Sequence, residues 1–298
     1  MKYIAFALAL AASGCQGVSQ PATAGGVLPS AVASTRQHPL LYVGSAGGSI
    51  DAFTYPRGKL AGQITTNYGS DGMCSDKEGN IFVAVPNGYE VVVFPHGGVF
   101  PIYVLSEASN GVLPDACASD RTSGDLAVTN FEGGVEMYKN GRGKPQAIAM
   151  GLDEAFFATF DDKGNLFVTG ERAGGFRLAE LPAGSAYAKS ISVDASVATG
   201  YGIASNGRDL VLQSADASGT ATMLTVKVSG SSATVIRTTT LMGAGNYFPA
   251  QFVLDGRTIV EPNASNTGVG FWSYPSGGAP TKTLQNVGSA LIGVTVSR

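Results

Sequence analysis

From residue 40 onward the chain alternates short runs of β-branched and aromatic residues with turns rich in Gly, Asn, Asp and Pro. No stretch shows the helical period over about 10 to 15 residues that a βαβ sheet would require. One phrase recurs: a turn followed by an apolar run. It reads Gly79-Asn80-Ile81-Phe82-Val83, Gly124-Asp125-Leu126-Ala127-Val128 and Gly164-Asn165-Leu166-Phe167-Val168. Weaker copies begin at Gly207 and Gly256, and Leu40-Leu41-Tyr42-Val43 opens the series without its turn. A second phrase follows each of them, as in Tyr55-Pro56-Arg57-Gly58, Phe94-Pro95-His96-Gly97, Leu181-Pro182-Ala183-Gly184 and Tyr274-Pro275-Ser276-Gly277. The copies lie about 40 to 49 residues apart, the length of a propeller blade.

Each unit predicts four short strands. In the second they are 72–75, 80–85, 90–94 and 101–105, divided by turn residues. The first unit lacks the strand that should precede Leu41, and Leu291 to Ser297 has the pattern of that strand. A C-terminal strand completing the first unit would close a ring and remove two open sheet edges. The expected fold is all-β, a six-bladed β-propeller over residues 38–298.

Composition narrows the function. Of 298 residues, 44% are hydrophobic and 14% charged, with 41 Gly. Charge this sparse excludes a disordered chain. A net charge of −3 without a basic run gives no footprint for nucleic acid. No apolar stretch reaches the roughly 18 residues of a membrane-spanning helix.

The N-terminus carries Lys2 and an apolar run from Ile4 to Ala12, followed by Ala12-Ser13-Gly14-Cys15. This resembles the lipobox of bacterial lipoproteins, with Ala12 where that family prefers Leu. The resemblance implies a signal peptide at 1–14, a diacylglyceryl anchor on Cys15, and a flexible tether at 15–37. The protein is expected to be exported, held at the bacterial cell envelope by its lipid alone, and monomeric. Two cysteines remain, Cys74 and Cys117. Aligning Met73-Cys74-Ser75-Asp76 with Cys117-Ala118-Ser119-Asp120 sets them one residue out of step. One then points forward and the other back into a shared seam, so a disulfide is expected.

The phrase Gly72-Met73-Cys74-Ser75-Asp76-Lys77-Glu78-Gly79-Asn80-Ile81-Phe82-Val83 resembles the repeat of NHL and YVTN-type propellers. That likeness implies architecture and is silent on activity. Gluconolactonases of the regucalcin type and streptogramin lyases share the fold, but their catalytic motifs cannot be placed on these residues.

Loops entering the innermost strands converge on the ring axis. They carry Asp71, Asp115, Asp153 and Glu154, with Tyr201, Asn246, Tyr247 and Asn286 from later units. Convergent carboxylates suit a cation, such as Ca²⁺, or another ligand. Asp76, Asp120, Asp161 and Asp255 open Asp-x-x-Gly-like turns and are expected to bond backbone N–H groups. His38 and His96 fall on the opposite face, as solvated surface residues. Phe271 and Trp272 are expected in the core between blades. Two functions remain: a binding module for a protein or small molecule without cofactor, or a metal-dependent hydrolase of the lactonase type.

Overall fold

The structure, a computed structural model, describes residues 38–298 except positions 67, 107–111, 216–219, 246–249, 264–267 and 289. The expected leader, Cys15 and tether lie outside the described residues, as do Asn246 and Tyr247.

The described residues fold almost entirely as antiparallel strands. The first sheet contains Leu40–Ser45 (β1), Ser49–Thr54 (β2) and Leu60–Thr65 (β3). The second contains Met73–Ser75 (β4), Ile81–Val85 (β5), Glu90–Phe94 (β6) and Tyr103–Ser106 (β7). The third contains Pro114–Ser119 (β8), Leu126–Asn130 (β9), Gly134–Tyr138 (β10) and Gln146–Ala149 (β11). Next come Glu154–Phe160 (β12), Leu166–Arg172 (β13), Gly175–Leu181 (β14) and Lys189–Val193 (β15). Thr199–Ser205 (β16), Leu210–Ala215 (β17), Thr220–Ser229 (β18) and Ser232–Gly245 (β19) follow. The last unit has Val253–Asp255 (β20), Thr258–Asn263 (β21), Gly268–Ser273 (β22) and Lys282–Leu284 (β23). Leu291–Ser297 (β24) then pairs with β1, with Leu41 opposite Val296 and Val43 opposite Val294.

The second strand of each unit is buried throughout where a sheet lies on both of its faces, as in Ile81–Val85 and Leu126–Asn130. Outer strands alternate or open to solvent; β3 buries only Ile64. Buried apolar side chains collect in the seams between consecutive units. Cys74, Phe82 and Val93 of the second unit pack with Cys117, Leu126 and Tyr138 of the third. Val260, Val269 and Phe271 of the last unit pack with Leu41, Val43 and Val294 of the first. Phe271 and Trp272 are core residues as expected, and Trp272 Nε1 donates to the Met242 carbonyl at 3.2 Å.

One topological feature departs from six separate sheets. Units four and five form one eight-stranded sheet in the order β12-β13-β14-β15-β19-β18-β17-β16. The long β18–β19 hairpin overhangs its unit, so Ser232 and Ala233 pair in parallel with Ser192 and Val193. Lys189 Nζ adds a hydrogen bond to the Gly230 carbonyl at 3.1 Å. The remaining sheets have four strands each.

The Asp turns behave as expected. Asp76 Oδ1 accepts from the Glu78 and Asn80 N–H groups at 2.9 and 2.8 Å, and Oδ2 accepts from Asn80 Nδ2 at 2.8 Å. Asp161 repeats this set on Lys163 and Asn165. Gly79 in the first of these turns has φ +85°, and a Cβ there would lie 2.4 Å from the Arg298 carbonyl oxygen. Close approach of the C-terminus therefore demands glycine. His96 lies on the expected face but is not merely solvated. It is half-buried, with Nδ1 2.6 Å from Ser297 Oγ and Nε2 3.1 Å from the His38 carbonyl oxygen.

Candidate functional site

The innermost strands β24, β4, β8, β12, β16 and β20 each run from one face of the molecule to the other. Their entry ends are distorted in a regular way. The pairing register shifts between Pro114 and Cys117, between Ala155 and Ala158, and between Gly200 and Ile203. Each shift is a β-bulge at the same level, and bulges re-aim side chains. The backbone groups they release are taken up by threonines on the second strands. The Ala116 N–H donates to Thr129 Oγ1 at 3.0 Å, and that hydroxyl donates to the Phe156 carbonyl at 2.6 Å. Thr169 Oγ1 donates to the Tyr201 carbonyl at 2.5 Å. Such bonds hold neighbouring entry ends in fixed relation.

Asp115 sits in the bulge of β8. It is 6% exposed, and its Oδ2 has no hydrogen-bond partner. Burial pushes its pKa well above the usual carboxylate value, and the charges of Asp71 and Glu154 push it further. Asp71, just ahead of β4, is raised to about 6 by burial. Three of the four carboxylates singled out by sequence therefore act on one another through their charges: the buried Asp115, the half-buried Asp71 and the exposed Glu154. Asp153 does not join them. It is exposed, and its Oδ2 accepts from the Ala173 N–H at 2.7 Å in the β13–β14 turn.

Tyr201 borders the group. Its ring is stacked on Phe156 at 5.2 Å and on Phe176 at 5.6 Å, and its hydroxyl donates to Glu171 Oε1 at 2.8 Å. Burial first, then Glu171 and the charge of Glu154, hold the phenol well above its ordinary pKa. Asn286 is exposed on its loop. Gln251 was not anticipated. Its Oε1 accepts from the Met73 N–H (2.9 Å) and the Val294 N–H (3.2 Å), and its Nε2 donates to the Met73 carbonyl at 2.6 Å. One side chain thus ties the entry ends of the last, first and second units. A clue lay in the repeat alignment, where Gln251 is a lone long amide among apolar and small residues.

A cavity of about 500 Å³ is lined by all the innermost strands, yet it lies toward their exit ends. Its deepest residues are at the level of Met73, Cys117, Ala158 and Ile203. Asp71 and Asp115 stand two residues beyond that level, about 7 Å along the strand. The concavity expected beside the acidic group thus opens on the other face. Three of its carboxylates are engaged: Asp120 accepts from the Thr122 N–H and Ser123 Oγ, Asp161 holds its own turn, and Asp255 Oδ1 lies 2.6 Å from Arg298 Nη2. Among the described residues no group of three or more His, Cys, Asp or Glu is arranged to hold a metal ion. The disulfide between Cys74 and Cys117 is present, with Cα atoms 5.5 Å apart, across the seam of the second and third units.

No protein-family model matches the chain, and no curated protein matches it. Among solved structures it is similar to a chain in the crystal structure of a nidogen/laminin complex. There the TM-score is 0.68 and the identity 14%, covering 87% of this chain and 98% of that one. It is also similar to a protein of unknown function from Bacteroides caccae, with TM-score 0.64 and 15% identity, covering 88% and 99%. At such identities the likeness speaks to the fold alone. Together with the sheet order, it identifies the fold as a β-propeller.

Proposed function

We propose that this chain is an exported, lipid-anchored, six-bladed propeller that binds a partner protein at the mouth where its innermost strands enter. Six blades are supported by six apolar clusters, each shared by neighbouring units, and by the β24–β1 pairing. The Cys74–Cys117 disulfide supports export to an oxidising compartment. The Cys15 lipobox supports anchoring, and a diacylglyceryl group provides the two chains that stable anchoring requires.

The observation that carries the binding reading is Asp115, a buried carboxyl with an unmet oxygen where three blades meet. Buried polar groups are mostly hydrogen-bonded, and an open carboxyl, unlike the open amide oxygen of Gln213, also carries a charge that a partner's donors would stabilise. Two exposed tyrosines lie on loops of the same face, Tyr68 before β4 and Tyr89 between β5 and β6, each 49% exposed. Tyrosine is a favoured anchor of protein interfaces. A propeller related in fold has been crystallised in a nidogen/laminin complex, which gives a precedent for protein binding. The lactonase-type alternative is not favoured, because it needs an axial metal and the described carboxylates are not arranged to hold one.

A photo-crosslinking residue placed at Tyr89 in cells tests the reading, with Tyr187, 83% exposed in the β14–β15 turn on the exit face, as control. A discrete heavier adduct is expected from position 89 and not from 187. Adducts from 187 alone, or from neither, would overturn it. Cys15→Ser should move the protein from the membrane fraction to the soluble one; unchanged fractionation removes the anchor.

A further inference from the structure

We infer that the cavity between the exit-face loops of units three and four binds a small aromatic anion, its ring on the apolar floor and its anionic group among Lys139, Lys144 and Lys163. The site is separate from the entry mouth and does not depend on a protein partner there.

The first ground is a missing plug. The phrase that follows the third strand of each unit opens on Tyr55, Phe94, Tyr138, Leu181, Val228 and Tyr274. In four units this residue is aromatic, and its ring packs back into the seam with the preceding unit. The Tyr138 hydroxyl donates to the Ser106 carbonyl at 3.0 Å, the Tyr274 hydroxyl lies 2.8 Å from Thr225 Oγ1, and the Tyr55 ring is stacked on Phe271 with centroids 6.3 Å apart. Unit five has Val228 instead, and there the pairing of β15 with β19 closes the seam. Unit four has Leu181, and no strand pairing joins its sheet to that of unit three. A leucine therefore stands where a ring would fill the seam, and nothing else closes it.

The second ground is the cavity that results. It measures about 650 Å³ and is lined by the turns 120–125 and 161–164 and by the β10–β11 and β14–β15 connections. Small-molecule sites occupy roughly 300 to 1,000 Å³. Ile148, Leu166 and Leu181 form a buried apolar floor, with the half-buried Met137 and Phe160 beside them. A thioether and a phenyl ring both favour an aromatic guest. Lys144, Ala183 and Gly184 on the rim are exposed, so the cavity opens to solvent.

The third ground is charge. In a chain with only 14% charged residues, Lys139, Lys144 and Lys163 all line this one cavity. None of them belongs to an ion pair among the described residues. Three aspartates also line it, and each is directed elsewhere. Asp120 accepts from the Thr122 N–H and Ser123 Oγ, and Asp125 Oδ1 accepts from the Asn140 N–H at 2.9 Å. Asp162 turns its carboxylate to Gly207 of unit five, where a Cβ would lie 3.0 Å or less from both oxygens. The lysines are thus left to meet an anion from solution. Lysine is a flexible point charge, so it selects for negative charge rather than for one head-group geometry.

The test titrates the full-length protein in detergent, against a detergent blank, with 3-phenylpropanoate, 3-phenylpropan-1-ol, propanoate and hexanoate. Calorimetry gives the affinities and amide NMR shifts give the place. Phenylpropanoate should bind at millimolar levels or better, at least about fivefold tighter than the alcohol, which lacks the charge, and than propanoate, which lacks the ring. Hexanoate should fall between them. Shifts should centre on residues 139–146, 160–164 and 181–185, and affinity should fall about threefold or more from 50 to 500 mM NaCl. Joint replacement Lys139→Gln, Lys144→Gln and Lys163→Gln alters exposed positions alone and should weaken phenylpropanoate about tenfold. Lys77→Gln, in the β4–β5 turn of unit two, should leave it unchanged. Leu181→Tyr supplies the missing ring and should abolish binding without lowering Tm; if that variant does not fold, the lysine variant decides. No binding of phenylpropanoate, equal binding of the alcohol, retention in the lysine variant, or shifts centred on the axial cavity around 205–207 and 253–256 would overturn the inference.

Discussion

Neutralising Asp71 should stabilise the protein at neutral pH and leave it unchanged in acid. The carboxyl makes no hydrogen bond that an amide would forfeit, and burial raises its pKa from 3.8 to about 6. Its folded pKa is above its unfolded one, so the folded state binds more protons across the interval between them. Stability therefore falls as pH rises from about 4 to about 6, and above that the full penalty is present. A rise of this size corresponds to at most about 3 kcal/mol. For a domain of this length that is roughly 5 °C or more in Tm. Asp115 adds a penalty of the same sign at higher pH. Urea unfolding of wild type and Asp71→Asn at pH 4 and pH 7.5 measures the difference directly. The variant should match wild type at pH 4 and exceed it by about 1 to 3 kcal/mol at pH 7.5. A variant equally or less stable at pH 7.5, or a difference independent of pH, would show that Asp71 is not held under electrostatic strain. An acid that costs stability and is lost without structural harm is the signature of a residue kept for binding.

Three further outcomes follow from the seams. Replacing both Cys74 and Cys117 by Ser should cost up to about 4 kcal/mol in urea unfolding, from the 43-residue separation they span; an unchanged midpoint would show that the loop entropy is not the source of stability. Gln251→Ala removes three hydrogen bonds among three units and should cost about 2 to 3 kcal/mol, whereas Gln285→Ala on an exposed loop should cost nothing measurable in the same melt. Deleting residues 291–298 strips β1 of one of its two partners and should produce a species that melts lower and self-associates in size-exclusion chromatography; a monomer with the wild-type Tm would show that β24 does not secure the first sheet.

What the sequence made legible was local. The Asp76 and Asp161 turns are written in four or five consecutive residues, so their bonds follow from side-chain chemistry alone. The disulfide was legible because a one-residue offset between two copies of a phrase decides which way each sulfur points. Choosing between Asp153 and Glu154 was a different kind of problem. Neighbours in a strand face opposite ways, and only the pairing of β12 with β13, which sets Glu154 opposite Glu171, and the turn that engages Asp153 tell the two apart. The β15–β19 bridge escaped notice because it depends on how far the β18–β19 hairpin overhangs, which no turn signal encodes. Gln251 escaped because its partners are 178 and 43 residues away and meet it only once the units have packed together.

The polar positions of the second strands show how architecture and site depend on each other. Gly44, Ala84, Thr129, Thr169, Gln213 and Glu261 occupy one place in successive repeats. Gly44 and Ala84 are small. Gly44 is crowded by Met73 and Ser70, and a Cβ there would lie 2.6 Å from Met73 Cε. Thr129 and Thr169 reach into the next bulge, and Gln213 Nε2 donates to Glu261 Oε1 at 2.6 Å across the following seam. The two threonines are thus satisfied across their seams, whereas Gln213 bonds through Nε2 and its Oε1 accepts no hydrogen bond among the described residues. Asp115 lies at the same depth and next to the same threonine, with the same opportunity, yet one of its oxygens is left without a partner. Asp115 differs from Gln213 in charge, because an open carboxyl can answer burial by holding its proton and an amide cannot. Burial and the charges of Asp71 and Glu154 all push its pKa the same way, so the entry ends carry an electrostatic strain that a packed seam of neutral groups would not, and it is this strain that Asp71→Asn is expected to relieve.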